Sequence, residues 1–295
     1  MIAALLWLAA IPQSSLGELS HCIEQHNHAC VEKQLAKLPP NPSPDLLAEA
    51  ARGYMLLGRN EEAVKAVNRA LELSPDNFGY LMEQGWLYQR SGDQPAAVHS
   101  FLLAARLKPD SPDVFYELGM SFFFAHEYER AAKNFRQSLK LNPQNDRAEF
   151  MLGIVAIWNE DLSGAEAYFK RAIELRPGNA DYALHYGVLL EKFNQTDQAL
   201  SEIRRAEQLD PSNPLTHMHL GRLYRTQGKL AEAQSELERA VNLRPSLSSA
   251  VYQLATVYRE RGEQEKARQA LARFQQLSAA EKEQPEDPID AAVSH

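Results

Sequence analysis

The sequence predicts an all-α fold, a solenoid of antiparallel helix pairs, on three observations. Pro75, Pro109, Pro143, Pro177, Pro211 and Pro245 recur every 34 residues. Three further columns keep that period. They are glycine (Gly85, Gly119, Gly153, Gly187, Gly221, with Ala255 sixth), alanine (Ala63, Ala97, Ala131, Ala165, Ala199, Ala233, Ala267) and a large apolar residue (Val67, Phe101, Phe135, Phe169, Ile203, Leu237, Leu271). Between consecutive prolines lie two stretches of helical length and apolar spacing, parted by a short polar turn. Four columns in one register over most of the chain leave no room for coincidence.

Taken in order, residues 1–16 form an apolar N-terminal segment with a ten-residue run from Ile2 to Ile11. The run resembles the core of a secretory signal but lacks its basic start, so two readings stay open: a signal peptide, or an apolar helix packed on the domain. Residues 17–43 read as a degenerate N-terminal helical hairpin followed by a Pro-rich connector, because the alanine column extends back to Ala29. Seven full units follow, 44–77, 78–111, 112–145, 146–179, 180–213, 214–247 and 248–281.

Within each unit the small columns have a physical job. Glycine in the first helix and alanine in the second allow close backbone approach, and the large residue fills the groove beside them. The turns hold Gly58, Gly92, Gly228 or Gly262, suited to a left-handed helix end. The recurrent proline ends the second helix, and Pro44, Pro112 and Pro214 stand where the next helix starts. Ser278 and Glu281 have capping-box spacing, which predicts a short extra turn of helix stopped by Pro285. Residues 282–295 read as an acidic disordered tail.

With Phe115, Leu118, Gly119, Phe122, Ala131, Phe135 and Pro143 as its third-unit motif, the chain resembles the tetratricopeptide repeat family over residues 44–281. Ser138, Ala156 and Ala279 depart from the family pattern. The resemblance implies a right-handed superhelical solenoid with a concave groove lined by first helices. Carried over position by position, the groove residues are Met82, Trp86, Tyr116, Met120, Phe123, Phe124, Phe150, Ile154, Ile157, Trp158, Leu184 and Val188. Rim charges are Arg52 and Arg90 towards one end, and Lys192, Arg222, Arg225 and Arg259 towards the other. Some family members hold chaperone C-termini in an Asn- and Lys-containing clamp. The matching positions here, Ala48, Arg52 and Met55, lack that pattern.

Val114–Ala125 shows why the groove matters. One apolar stripe, Phe115, Leu118 and Phe122, belongs to any such repeat. A second, Tyr116, Met120, Phe123 and Phe124, is surplus and needs its own cover. Aromatic side chains of this size exceed what a soluble monomer leaves open. Three covers are compatible with the sequence: a partner's peptide or helix, neighbouring repeats acting as core, or the chain itself through its ends or a homodimer.

Cys22 and Cys30 flank the turn of the N-terminal hairpin, and an even cysteine count in an exported protein implies a disulfide. His21, His26 and His28 share the segment, but H-C-x3-H-x-H-x-C matches no common finger spacing, so no metal is expected there. A net charge of −8 argues against nucleic-acid binding, and no apolar run reaches the ~18 residues of a membrane span. No nucleophile elbow, phosphate loop or His-Glu-x-x-His is present, and His217 and His219 face apart on a helix. The expectation is therefore a non-enzymatic protein–protein scaffold, exported to the periplasm or beyond, without cofactors. Cytoplasmic location is the alternative compartment. A self-assembling structural protein and a substrate-recruiting accessory subunit of a separate enzyme are the competing functional classes.

Overall fold

The computed structural model describes residues 13–281 and residue 289. Among the described residues there are helices and no strands. The chain divides into two compact units, Met1–Leu141 and Asn142–His295.

The N-terminal unit opens with a short hairpin, α1 (Gln13–Glu24) and α2 (His28–Leu35). Helix α1 runs unbroken through the expected end of the apolar segment at residue 16, and residues 1–12 of that segment lie outside the described residues. Leu19, Val31 and Leu35 bury against Leu46 and Ala50 of the next helix. Three helix pairs follow: α3 (Pro44–Leu56) with α4 (Asn60–Leu73), α5 (Phe78–Arg90) with α6 (Gln94–Leu107), and α7 (Pro112–Phe124) with α8 (Tyr128–Leu141). The C-terminal unit holds four: α9 (Asp146–Trp158) with α10 (Leu162–Leu175), α11 (Ala180–Lys192) with α12 (Thr196–Leu209), α13 (Pro214–Thr226) with α14 (Leu230–Leu243), and α15 (Ser248–Glu260) with α16 (Gln264–Glu281).

Five of the seven first helices start at a side-chain cap, α7 and α15 being the exceptions. Asn77 accepts a hydrogen bond from the Tyr80 amide at 3.1 Å, Asn145 from Ala148 at 3.2 Å, and Asn213 from Leu215 at 2.9 Å. These asparagines stand two residues past the recurrent prolines, so one short loop both stops a helix and starts the next. The turn inside each pair needs one left-handed residue. Gly58, Gly92, Gly228 and Gly262 supply it with φ of 73–81°, while His126, Glu160 and Asn194 adopt it with φ near 60° at the equivalent positions.

Glycine and the large apolar column lock five of the seven pairs together, with Ala51 and Ala255 in the glycine position of the first and last. A Cβ added at Gly119 would lie 2.5 Å from the Phe135 ring, and one at Gly153 would lie 2.4 Å from Phe169. Phe101, Phe135, Phe169, Ile203 and Leu237 are all fully buried, as is the alanine column from Ala63 to Ala233. The C-terminal expectation changes: α16 continues through Ser278 to Glu281 without a break, so no separate capping turn starts at Ser278. A continuing helix already satisfies the Glu281 amide, which leaves nothing for a new cap to serve. The acidic tail beyond 281 lies outside the described residues, residue 289 apart.

Candidate functional site

The expected groove residues separate by burial. In the N-terminal unit, Met82, Tyr116 and Phe123 are buried. Tyr116 packs on Phe135 with ring centroids 5.6 Å apart, and Phe123 packs on Tyr128 at the same distance. In the C-terminal unit Phe150, Ile154, Leu184 and Val188 are buried, with Phe150 stacked on Tyr182 at 4.7 Å. These seven are buried and offer little surface of their own to a partner. A position on a helix fixes the direction of a side chain, and the neighbouring helices decide whether it reaches solvent. The exposed or half-buried remainder is Trp86, Met120 and Phe124 in the first unit, and Ile157 and Trp158 in the second. Trp86 is the most open at 44%. Trp86 and Met120 occupy the same position in successive repeats.

The expected rim also changes. Arg52 sits 3.1 Å from Glu49 and 3.3 Å from Glu83, both buried carboxylates. Burial pushes the Glu83 carboxyl up to about 7 against the pull of Arg52, and Glu49 adds to the rise. Beside this trio the Tyr80 hydroxyl donates to Asp45, and burial raises that phenol as well. In the C-terminal unit Arg222 donates to Glu191, which also faces His219 at 3.5 Å. Burial alone would raise Glu191, but His219 and Arg222 outweigh it and hold the carboxyl below its usual range. Burial keeps the His219 imidazole below its usual range. Arg225 reaches Glu260 at 3.1 Å and Gln253 at 3.0 Å. Arg52, Arg222 and Arg225 therefore join successive first helices and are already neutralised. Arg90, Lys192 and Arg259 stay exposed.

Sequence reasoning missed these internal partners, although a signal existed. Arg52 and Glu83, like Glu191 and Arg222, are opposite charges 31 residues apart, close to one repeat length. His217 and His219 do point to different partners, Glu236 at 2.7 Å and Glu191. Cys22 and Cys30 are joined as a disulfide with Cα atoms 5.6 Å apart. Their neighbours His21, His26 and His28 are exposed. No described helix is long and apolar enough to cross a membrane.

Residues 49–112, 116–180 and 150–214 match one tetratricopeptide repeat description, 192–256 a second and 249–278 a third. The chain belongs to the tetratricopeptide repeat family. Membership defines its class in general terms, a protein-interaction scaffold on a fold that is typically non-catalytic. No curated protein matches the sequence. Among solved structures, the APC/C hetero-tetramer Cut9–Hcn1 is similar at 17% identity and TM-score 0.66, over 81% of this chain and 48% of the matched one. The chain thus spans about half the length of that relative. A repeat protein from Parabacteroides merdae is similar at 16% identity and TM-score 0.64, over 85% of this chain and 97% of the other. YrrB, described as having an unusual peptide-binding site, is similar at 21% identity and TM-score 0.50, over 64% of this chain and 97% of YrrB. At these identities the likeness is one of fold.

Proposed function

We propose that this protein holds an extended or helical peptide of a partner protein against the first helices of its repeats, with aromatic anchors giving most of the affinity. The observation that carries the reading is Trp86, 44% exposed on α5, with half-buried Met120 one repeat later and Phe124 a turn beyond. Tryptophan and methionine at one position of consecutive repeats, exposed in the first and half-buried in the second, suit a binding surface, where such residues are enriched. Ile157 and Trp158 form a second half-buried apolar pair, within the C-terminal unit. Exposed Arg90 in the N-terminal unit, and Lys192 and Arg259 in the C-terminal unit, would each set register within their own unit through acidic groups of a peptide. The role is binding alone, with no cofactor, nucleic acid or membrane span involved. The organisation that goes with it is the seven units of 44–281.

The test is a crosslinking pull-down from native extract with wild type and with Trp86→Ser and Phe124→Ser, read by mass spectrometry. Loss of one defined set of partners, with helical content unchanged, is the expected result. Recovery of the same partners by the folded variants overturns the reading. Light scattering addresses the self-assembling alternative, which requires a concentration-dependent mass that the same variants abolish. Export to the periplasm or beyond is the compartment that best suits the Cys22–Cys30 disulfide. Thiol alkylation of protein taken directly from cells checks it, since a cytoplasmic chain would carry two free thiols.

A further inference from the structure

We propose that Glu207, His217 and Glu236 bind one divalent transition-metal ion, with zinc the best match to the donor set. The proposal does not depend on the peptide-binding reading. The three residues come from successive helices, α12, α13 and α14, and their donor atoms lie within 4.8 Å of one another. His217 is fully buried and its ring is held from behind. Nε2 donates to the Pro211 carbonyl at 2.9 Å, which leaves Nδ1 facing the carboxylates, 2.7 Å from Glu236. A backbone carbonyl on the far ring nitrogen is the usual way a metal-binding imidazole is oriented. Both glutamates keep some exposure, 27% and 16% of their side chains, so an ion has a way in and water can fill a fourth position.

Comparison between repeats gives a second argument. The position of His217 holds Leu47, Leu81, Phe115, Ala183 and Val251 in five of the six other units and Glu149 in the sixth. The position of Glu207 holds Leu71, Ala105, Leu139, Ile173 and Val241. Five of the six other units pack with an apolar residue at each place, the exceptions being Glu149 and Gln275, and a buried ionic cluster stabilises a fold no better than apolar packing does. The polar replacements sit at different points of the repeat, yet they converge on one point in space. Stability alone gives no reason for that convergence, whereas an imidazole with two carboxylates suits zinc and similar ions.

The charges balance. Without metal, Arg239 lies 3.2 Å from Glu207 and 3.9 Å from Glu236, and His217 holds a proton between its ring and Glu236. On binding, the ion takes the Nδ1 lone pair, that proton leaves to solvent, and the half-exposed Arg239 swings outward. One divalent ion replaces two monovalent cations, and no oxidant or reductant is involved.

The test is calorimetric titration of Zn2+ into the full chain, prepared without an affinity tag and stripped with chelator. One tight equivalent is expected, weakened about tenfold or more in His217→Gln and Glu207→Gln. Arg239→Gln should strengthen binding, because it removes a competing cation. Exposed His21, His26 and His28 contribute a background common to every variant. Circular dichroism confirms the fold of Glu207→Gln, whose carboxylate is partly exposed. Absence of stoichiometric uptake, uptake unchanged in folded Glu207→Gln, or weaker uptake in Arg239→Gln overturns the proposal.

Discussion

Replacing Glu83 with glutamine should make the protein more stable at alkaline pH and remove a slope in its pH–stability curve. The Glu83 side chain is 5% exposed, and burial pushes its carboxyl from the ordinary 4.5 to about 7, against the opposing pull of Arg52 and with a further push from Glu49. Between those two values the folded protein binds a proton that the unfolded chain does not. Stability is therefore greatest below pH 4.5 as far as this group is concerned, and it falls as pH rises until about 7. At about 1.4 kcal/mol per pH unit, that window corresponds to roughly 3 kcal/mol. Glutamine keeps the shape and cannot ionise. The pull of Arg52 is already contained in the raised value, so it is not subtracted a second time. A gain of up to roughly 3 kcal/mol at pH 8 is expected. Urea unfolding followed by far-ultraviolet circular dichroism, stepped from pH 4.5 to about 8.5, is the assay. Parallel curves for the two proteins, or a less stable variant at pH 8, would refute the reasoning.

Other substitutions test the repeat itself. Gly119→Ala places a methyl 2.5 Å from the Phe135 ring and should cost about 1–3 kcal/mol in the same unfolding assay. Phe135→Ala, at a fully buried ring, should cost about 3–5 kcal/mol. Glu160→Gly relieves a left-handed residue with φ of 60° and should raise stability by about 1 kcal/mol, read as a higher urea midpoint. The double variant Cys22→Ser and Cys30→Ser removes a bridge spanning 8 residues and should cost about 2–3 kcal/mol, confined by hydrogen exchange to α1 and α2.

Much of the fold is legible in the residues because its determinants are local and repeated. Gly119 with Phe135, the proline of the connecting loop and the left-handed residue of the turn act within one 34-residue period, so the glycine is seen five times, the proline six times and a turn glycine four times. What the sequence hides is contact between periods. Phe123 and Phe124 are adjacent in sequence and equally apolar, yet the first is buried, with Tyr128 packed on its ring, and the second stays half open. Arg52 reads as a free rim charge until Glu83, 31 residues on, is brought beside it. The cluster of Glu207, His217 and Glu236 was invisible to motif spacing for the same reason: its members come from three helices. The cysteines were the exception, because their partner lies across a single turn.

The caps and glycine locks also say how this chain can change in length. Each lock joins two helices of one repeat and refers to nothing farther away. Removing residues 180–213 takes out 34 and joins Asn179 directly to Pro214, which recreates the Asn213–Pro214 junction already used to start α13. A helix-internal deletion of one residue would instead turn every later side chain by about 100° around the axis and point Phe or Leu columns away from their glycines. Growth and loss are therefore quantised: whole 34-residue modules can be excised or duplicated at the Asn–Pro seam, while smaller changes are confined to the turns.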